Sequence, residues 1–211
     1  MFALLKNFFT VLILSSPIYL WSDENPYNFI DSNAQKMVIV LKENKSLFLE
    51  DRQLYEEKIK EIFEPMIDFR RVAATVMGKK YYLASSKEQR AEFVVIFKDS
   101  LLDTYAETLA QWENQTITTI FPEDMEIQNN NLKNIEVQQT LNTGSSKYPI
   151  SYKLRKNKDN SWSIVNIIVN GVNLGLTFRN QFQALAIKNN GNIESTLNGW
   201  VSDAGDAGIS G

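Results

Sequence analysis

The chain has 211 residues, with 22 Lys and Arg, 25 Asp and Glu, and a formal net charge of −3 at pH 7. This mildly acidic balance, without a run of basic residues, excludes the electrostatic footprint of a nucleic-acid-binding protein and a polybasic segment for anionic membranes. The absence of Cys and His excludes disulfides, thiolate nucleophiles and the commonest general base and metal ligand.

Residues 1–22 have the pattern of an export signal. Lys6 is their only charged residue, and a short apolar core runs from Phe8 to Leu14, followed by small polar residues. This core is too short to span a bilayer, which needs about 20 apolar residues. Cleavage after Ser22 is the preferred interpretation. An uncleaved anchor is the alternative, because Leu20 fits the third position before the cut poorly.

Helical patterns come first after the signal. Asn25–Pro26 is typical of a helix start. Asp51 can cap a second helix, and Pro65 should end or kink it. A third helix is predicted from about Asp68 to Met77 and should be stopped by Gly78.

The longest predicted helix follows a connector of basic and aromatic residues with the sequence GKKYYLASS. Ser85 with Glu88, or Ser86 with Gln89, can form its capping box. Apolar residues then recur every four positions, which predicts one buried helix face up to about Trp112. They are Phe93, Phe97, Leu101, Tyr105 and Leu109.

After Asn114 the apolar period becomes that of β-strands. In the last strand the apolar phase slips between Ile164 and Ile167, which predicts a bulge near Val165–Asn166 or burial on both faces. Four strands are predicted, at about 115–121, 132–141, 148–154 and 162–169.

The last strand leads directly into another helix. Gly171 can adopt a left-handed turn at no steric cost. Asn173 can cap the helix that follows, whose apolar face includes Leu174, Phe178 and Phe182.

Helices, then antiparallel strands, then helices predict an α+β fold with a small sheet of about four strands. A single domain is predicted over residues 23–201. Its helical part covers 26–112, its sheet part 115–170 and its C-terminal helices 173–200, and residues 202–211 are predicted to be a flexible tail.

The sequence predicts no catalytic residue, metal site or cofactor, and therefore no enzyme. Most carboxylates lie on solvated helix faces, and Glu123, Asp124 and Glu126 are typical of a polar turn. A catalytic carboxylate pair needs one cleft with two different environments, which nothing here indicates. Phosphate-binding loops, dinucleotide fingerprints and calcium loops are absent from the sequence.

Four basic residues flank the third helix: Arg70, Arg71, Lys79 and Lys80. They can be solvated charges near helix ends. Alternatively, they can recognise an anionic headgroup, which Arg binds with two hydrogen bonds.

Phe, Trp and Tyr together make up 11% of the chain, and helices on both sides of the strands have wide apolar faces. If these faces close fully on the sheet they form a solid core, and if they leave a gap they form an apolar cavity. The sequence does not separate these cases.

Four segments together carry a resemblance to a known family. NPY starts at Asn25 and DFRRVAATVMGKKYY at Asp68, SSKEQRAEFVVIFKDSLLDTYAETL follows from Ser85, and WSIVNIIVNGVNLGLTFRNQF begins at Trp162. In combination they resemble the MlaC family, also called the toluene-tolerance auxiliary family, from about residue 26 to 200.

The resemblance implies a monomeric periplasmic carrier that binds phospholipid and maintains outer-membrane lipid asymmetry. It implies a sheet related to the NTF2-like fold, wrapped by helices, with lipid tails in an apolar cavity between them. The implied partners are an inner-membrane ABC transporter complex with MCE domains and an outer-membrane lipoprotein–porin complex.

The chain departs from the family pattern at several polar positions. Gln138 and Gln139 stand where the family often has Arg-Thr. Asn166 and Asn170 replace acidic residues, and Asn173 replaces Ser. Any headgroup or partner contact that uses those charges is put in doubt.

We expect apolar residues of the longest helix, the third and fourth strands and the last long helix to line the cavity. A module of the same shape with a solid core, acting through protein contacts, is the alternative. An enzyme with a carboxylate in its pocket is a third hypothesis. The predicted lining is Val76, Tyr82, Phe93, Phe97, Leu101, Tyr105, Ile150, Tyr152, Leu154, Val169, Val172, Leu174 and Phe178.

Overall fold

The elements follow the predicted order of helices, sheet and helices, which confirms the α+β fold. The computed structural model describes residues 25–123, 132–203 and 205, so the predicted export signal lies outside the described residues. The helices are α1 (Pro26–Glu43), α2 (Leu47–Glu50), α3 (Arg52–Met66), α4 (Phe69–Ala84), α5 (Lys87–Ala110), α6 (Leu174–Lys188) and α7 (Ile193–Asn198). The strands are β1 (Thr116–Ile120), β2 (Asn134–Asn142), β3 (Lys147–Lys156), β4 (Trp162–Val169) and β5 (Val172–Asn173).

The predicted caps set the helix starts. The side chain of Asn25 accepts hydrogen bonds from the backbone N–H groups of Tyr27 and Asn28, and Asp51 accepts one from Leu54. At the start of α5 the capping box is Ser86 with the residue three positions on, rather than the overlapping pair that starts at residue 85. Each cap satisfies backbone donors that the first helical turn leaves without a partner.

Gly78 kinks α4 instead of ending it, which corrects the prediction of a connector after Met77. Its φ of 68° and ψ of 162° lie in a region that is essentially restricted to glycine. The chain turns there and resumes helical geometry up to Ala84, because Tyr81 returns to the core and is 5% exposed. A helix break and a helix kink look the same in sequence when the residues beyond the glycine are good helix formers.

The sheet is an antiparallel meander in the order β1-β2-β3-β4-β5. The two-residue β5 was not predicted. Between β3 and β4 the register shifts, because Lys153 pairs with Asn166 while Leu154 pairs with Ile164. Val165 is therefore the extra residue of a bulge, as predicted, and the bulge returns the following apolar residues to the covered face of the sheet.

The helices pack mainly on the strands to either side of the central strand β3. Helix α1 contacts β1 and β2, and α3, α4 and α6 contact β4. Apolar residues form one buried cluster between α1 and the sheet, the sheet cluster, and another among α4, α5, α6 and α7, the helical cluster. Half-buried Ile67 contacts both clusters. A third cluster joins α1, α3 and α5.

The start of α6 is held by two of the family-divergent asparagines. Asn173 caps the helix by accepting from the backbone N–H of Leu176, and it also accepts from the side-chain amide of Asn166. The side-chain oxygen of Asn166 accepts from the backbone N–H of Gly175 at 3.0 Å. A Cβ at residue 175 would lie 2.5 Å from that oxygen, so any other residue would displace the Asn166 side chain. These asparagines therefore position the helix.

The packed region extends one residue further than predicted. Ser202, placed in the flexible tail by the sequence, is 0% exposed. Its backbone N–H donates to Ser100 Oγ at 2.6 Å, and its own Oγ accepts from Trp200 Nε1 at 3.0 Å. Residues 204 and 206–211 lie outside the described residues.

Substituting Gly78→Ala should lower the free energy of unfolding by about 1–3 kcal/mol, because the backbone conformation disfavours any Cβ. The new Cβ would also lie 3.3 Å from Arg179 Nε and from Gln183 Nε2. Urea unfolding measures the change. Gly199→Ala is the matched control: its φ is −96° and its Cβ would make ordinary contacts, so stability should change by less than about 1 kcal/mol. If both substitutions lowered the free energy of unfolding equally, the backbone conformation of Gly78 would not be a special requirement of the fold.

Candidate functional site

The central strand β3 is the part of the sheet that the helices cover least, since they pack on the strands to either side. Its apolar side chains at Tyr148, Ile150 and Tyr152 alternate with polar ones, so they share one face. Leu154 on the same face is 1% exposed, whereas the other three are only half-buried. The covered face of the sheet is thus closed at the Leu154 end of β3 and more open toward Tyr148.

Tyr152 reports on the environment over this strand. Burial raises the pKa of its phenol above the ordinary value of 10.0, because desolvation penalises the phenolate. The side chain is nevertheless half-buried rather than buried, and it forms no hydrogen bond with a residue that the structure describes. Tyr152 therefore combines a desolvated phenol with a side chain that its neighbours do not cover completely.

Half-buried apolar residues surround Tyr152 on the same face of the sheet. Its cross-strand neighbours are Val137, which is 0% exposed, and Ile167, which is half-buried. Ile150 pairs with Val169, and both are half-buried. Ile167 was not among the predicted site residues. The signal that could have found it is the bulge, which places Ile167 on the face of Ile164.

The helical side contributes half-buried residues of its own. Leu101 and Tyr105 of α5 and Leu174 of α6 pack against the helical cluster without being buried in it. Val172, two residues before Leu174, is also half-buried. These four residues belong to the predicted lining and keep accessible surface.

Four other predicted lining residues lie inside the helical cluster. Val76 is 0% exposed, and Phe93, Phe97 and Phe178 are at most 3% exposed. The rings of Phe93 and Phe97 pack 5.8 Å apart, and that of Phe97 lies 5.5 Å from that of Phe178 in an edge-to-face contact. Their surfaces are filled by aromatic neighbours, so they support the inner wall rather than expose it.

Tyr82 is half-buried and packs against the helical cluster, but it also borders the surface. The guanidinium of Arg90 lies 4.1 Å from the centre of its ring, a cation–π contact. It borders a surface cleft of about 510 Å³ together with Asp68, Arg70, Arg71 and Thr75. This cleft lies at the exposed side of α4.

The four predicted headgroup residues do not form one site. Arg70 and Arg71 border the cleft next to Tyr82, and Arg71 Nε is paired with Asp68 Oδ2 at 3.0 Å. Lys79 and Lys80 border a second cleft of about 250 Å³ beyond the kink. All four are exposed, whereas α4 faces the core with Phe69, Ala73, Val76, Met77 and Tyr81.

A buried polar chain lies at the other end of the covered face. Gln139 is 1% exposed, and its Nε2 donates to Thr119 Oγ1 at 2.8 Å, which in turn donates to Asp31 Oδ1 at 2.7 Å. Gln139 Oε1 has no hydrogen-bond partner among the described residues. Gln139 pairs with Ile150 across the strands, so this polar chain borders the more open part of the sheet face.

No group of three or more Asp, Glu, His or Cys in the described part of the chain could hold a metal ion. None of the described helices is long and apolar enough to cross a membrane. Glu136 is held by Lys153 and Ser151, which lower the pKa of its carboxyl.

Comparison with known proteins places the chain in a family. The family model described as MlaC protein matches residues 31–202. A relative named "Toluene tolerance protein ttg2D", from Pseudomonas putida, is 26% identical and aligns with 98% of this chain and 94% of its own length. The "Intermembrane phospholipid transport system binding protein MlaC" of Haemophilus influenzae is 24% identical, over 97% of this chain and 89% of its own.

A solved structure has the same fold. It is a phospholipid-binding protein from Ralstonia solanacearum in complex with a phospholipid. The TM-score is 0.73, and the match covers 83% of this chain and 94% of that protein at 22% identity.

The raised pKa of Tyr152 predicts a pH dependence of stability. An unfolded phenol ionises near pH 10. Because the folded value is higher, the contribution of Tyr152 to stability is complete below pH 10 and is lost as the pH rises further. Urea unfolding should therefore show that the free energy of unfolding falls less between pH 9 and pH 11.5 in Tyr152→Phe than in the wild type, because the variant has no ionisable phenol at this position. Equal losses would contradict a desolvated phenol.

Proposed function

Because the chain belongs to the MlaC family, we propose that it binds phospholipid with the acyl chains over β3 and carries it through the periplasm. The observation that carries the proposal is the half-buried apolar face around Tyr152, a residue whose phenol is desolvated although its side chain is not completely covered. A solid core would have buried this side chain, and an open surface would have solvated it. The likeness to a fold that holds a phospholipid supports the same conclusion.

The energetics of lipid transfer require an enclosed apolar site. Two acyl chains expose roughly 30 methylene groups, and each costs about 0.8 kcal/mol when it leaves the bilayer for water. The total of about 25 kcal/mol prevents unassisted transfer. A protein lowers this cost by offering apolar surface that is already out of water, and it needs no catalytic group to do so. The absence of His and Cys is compatible with that role.

We assign the lining to the half-buried apolar residues. On the sheet side these are Ile150, Tyr152, Ile167 and Val169, and on the helical side Leu101, Tyr105, Val172 and Leu174. Phe93, Phe97 and Phe178 form the rigid wall behind the helical side, and Leu154 and Val76 close the ends. We assign the headgroup to solvent at the mouth of the site, since the predicted cations lie elsewhere.

The transport route is proposed from the family and from the names of its members. The carrier moves phospholipid between an outer-membrane lipoprotein–porin complex and an inner-membrane ABC transporter with MCE domains. The names of the relatives, which mention intermembrane phospholipid transport and toluene tolerance, support this placement. In that setting the protein acts in the periplasm and maintains the lipid asymmetry of the outer membrane.

The first test is the lipid content of the protein purified without detergent. Native mass spectrometry should show a mass excess that matches bound phospholipid, and solvent extraction should recover that lipid. A protein that carries no lipid and takes up none from liposomes would contradict the proposed function and favour the solid-core module.

Bulky substitutions test the assigned lining. Ile150→Trp and Leu101→Trp should each fill part of the site and lower lipid occupancy at least several-fold, because the added volume replaces acyl-chain contacts. Val95→Trp is the matched control on the same helix as Leu101, since Val95 is 52% exposed and should tolerate the ring. Circular dichroism checks folding. Unchanged occupancy in both lining variants would show that the lining is assigned wrongly.

A further inference from the structure

Helices α4 and α6 together carry six cations and no carboxylate, on a chain whose net charge is −3. All six side chains are exposed. Arg71 alone is paired with a carboxylate, Asp68; the other five form no ion pair with any residue that the structure describes. The six are Arg70, Arg71, Lys79, Lys80, Arg179 and Lys188.

The kink in α4 brings part of this charge together. Lys79 and Lys80 follow Gly78 directly, and they border one cleft with Arg179, Gln183 and Ile187 of α6. Because Gly78 has no side chain, the guanidinium and amide of α6 approach its backbone closely. Cations that are 99 residues apart in the chain thus share one surface.

Exposed aliphatic residues lie among these cations. Of the five large apolar side chains with the highest exposed fractions in the described residues, three are on α4 and α6. They are Ile187 at 69%, Leu83 at 65% and Leu176 at 54%. Leu83 follows Lys79 by one helical turn, and Ile187 follows Arg179 by two, so each shares a side of its helix with a cation.

We propose that this basic–apolar face, formed by Lys79, Lys80, Leu83, Leu176, Arg179 and Ile187, docks on the surface of an anionic lipid bilayer. Lys and Arg near an anionic membrane are attracted to its surface potential. Aliphatic side chains between them enter the boundary between headgroups and acyl chains. The proposal goes beyond lipid binding over β3, because it concerns the outer surface of the molecule and does not require an occupied site.

The form of the face favours a bilayer over a protein partner. Leu176, Arg179, Gln183 and Ile187 form a row along one helix, with spacings of three, four and four residues, about 16 Å long. Protein interfaces depend on a few anchor residues that fill pockets. Here the aliphatic side chains protrude from a helix surface and are separated by cations, an arrangement that a fluid headgroup layer accommodates without a matching shape.

Vesicle co-sedimentation of the protein without the predicted export signal tests the proposal. At low salt the protein should pellet with vesicles of equal parts phosphatidylglycerol and phosphatidylcholine, and remain in the supernatant with phosphatidylcholine alone. Binding should fall steeply at 0.5 M salt, because exposed charges are screened. Failure to pellet with the anionic vesicles at low salt would overturn the proposal. The basic–apolar face would then be assigned to an acidic protein partner.

Charge variants locate the face. The triple variant Lys79→Gln, Lys80→Gln, Arg179→Gln should lower vesicle binding on the order of 100-fold, since each cation near the surface contributes about five-fold. The matched control, Lys36→Gln, Lys133→Gln, Lys158→Gln, removes three exposed cations elsewhere and should bind within a few-fold of the wild type. Equal binding of both triple variants would overturn the assignment.

Apolar variants and lipid content separate this proposal from the proposed function. The double variant Leu83→Ser, Ile187→Ser should weaken vesicle binding. Leu49→Ser should not, although Leu49 on α2 is 89% exposed.

Lipid uptake into the site leaves the protein in the supernatant, while docking on vesicles moves it to the pellet. Ile150→Trp should therefore pellet like the wild type even when its lipid occupancy is low. An Ile150→Trp protein that fails to pellet would contradict docking through this face.

Discussion

The close contact at Gly78 determines how helices α4 and α6 meet. A backbone conformation restricted to glycine lets α4 bend, and the missing Cβ lets Arg179 and Gln183 of α6 lie against the bend. The bent α4 contacts β4, and beyond the bend it returns Tyr81 to the helical cluster. The core packing of α4 and the position of its exposed cations therefore both depend on Gly78.

The inner surface is built with apolar residues that remain partly accessible. In an ordinary core, further burial of Ile150, Tyr152 and Leu174 would stabilise the fold by about 25 cal/mol for each Å² of apolar surface removed from water. The helices instead pack on the strands beside β3 and leave these residues half-buried. In the proposed function an acyl chain completes their burial, and the apolar surface that folding leaves uncovered would then drive binding. Leu101 packs against a cluster in which the rings of Phe93, Phe97 and Phe178 are in close contact.

The polar departures from the family pattern have structural explanations. Asn166 and Asn173 hydrogen-bond to one another and to the first turn of α6, so neutral amides replace an acid and a hydroxyl without loss of the cap. Gln139 joins Thr119 and Asp31 in a chain that ties β2 and β1 to α1. The side chains of Gln139, Asn166 and Asn173 thus hold elements of the fold in place through neutral hydrogen bonds.

The sequence by itself determined the order of elements, the caps at Asn25, Asp51 and Asn173, and the bulge at Val165, because capping and strand periodicity are local properties of the chain. It also showed the family through residues spread over the whole domain. It misread the helix beyond Gly78, since a bend and a stop share the same local signal and only the burial of Tyr81 distinguishes them.

Tertiary structure decided which apolar residues are packed solid and which remain accessible. Phe93 and Leu101 have the same helical spacing and the same hydrophobicity, yet Phe93 is 0% exposed and Leu101 is half-buried, because aromatic neighbours from α6 and the C-terminal segment cover only the former. It also decided the charge pattern of the surface. No basic run exists in the chain, but the bend at Gly78 brings Lys79 and Lys80 next to Arg179. Proximity between distant residues arises from packing, and no local pattern of residues encodes it.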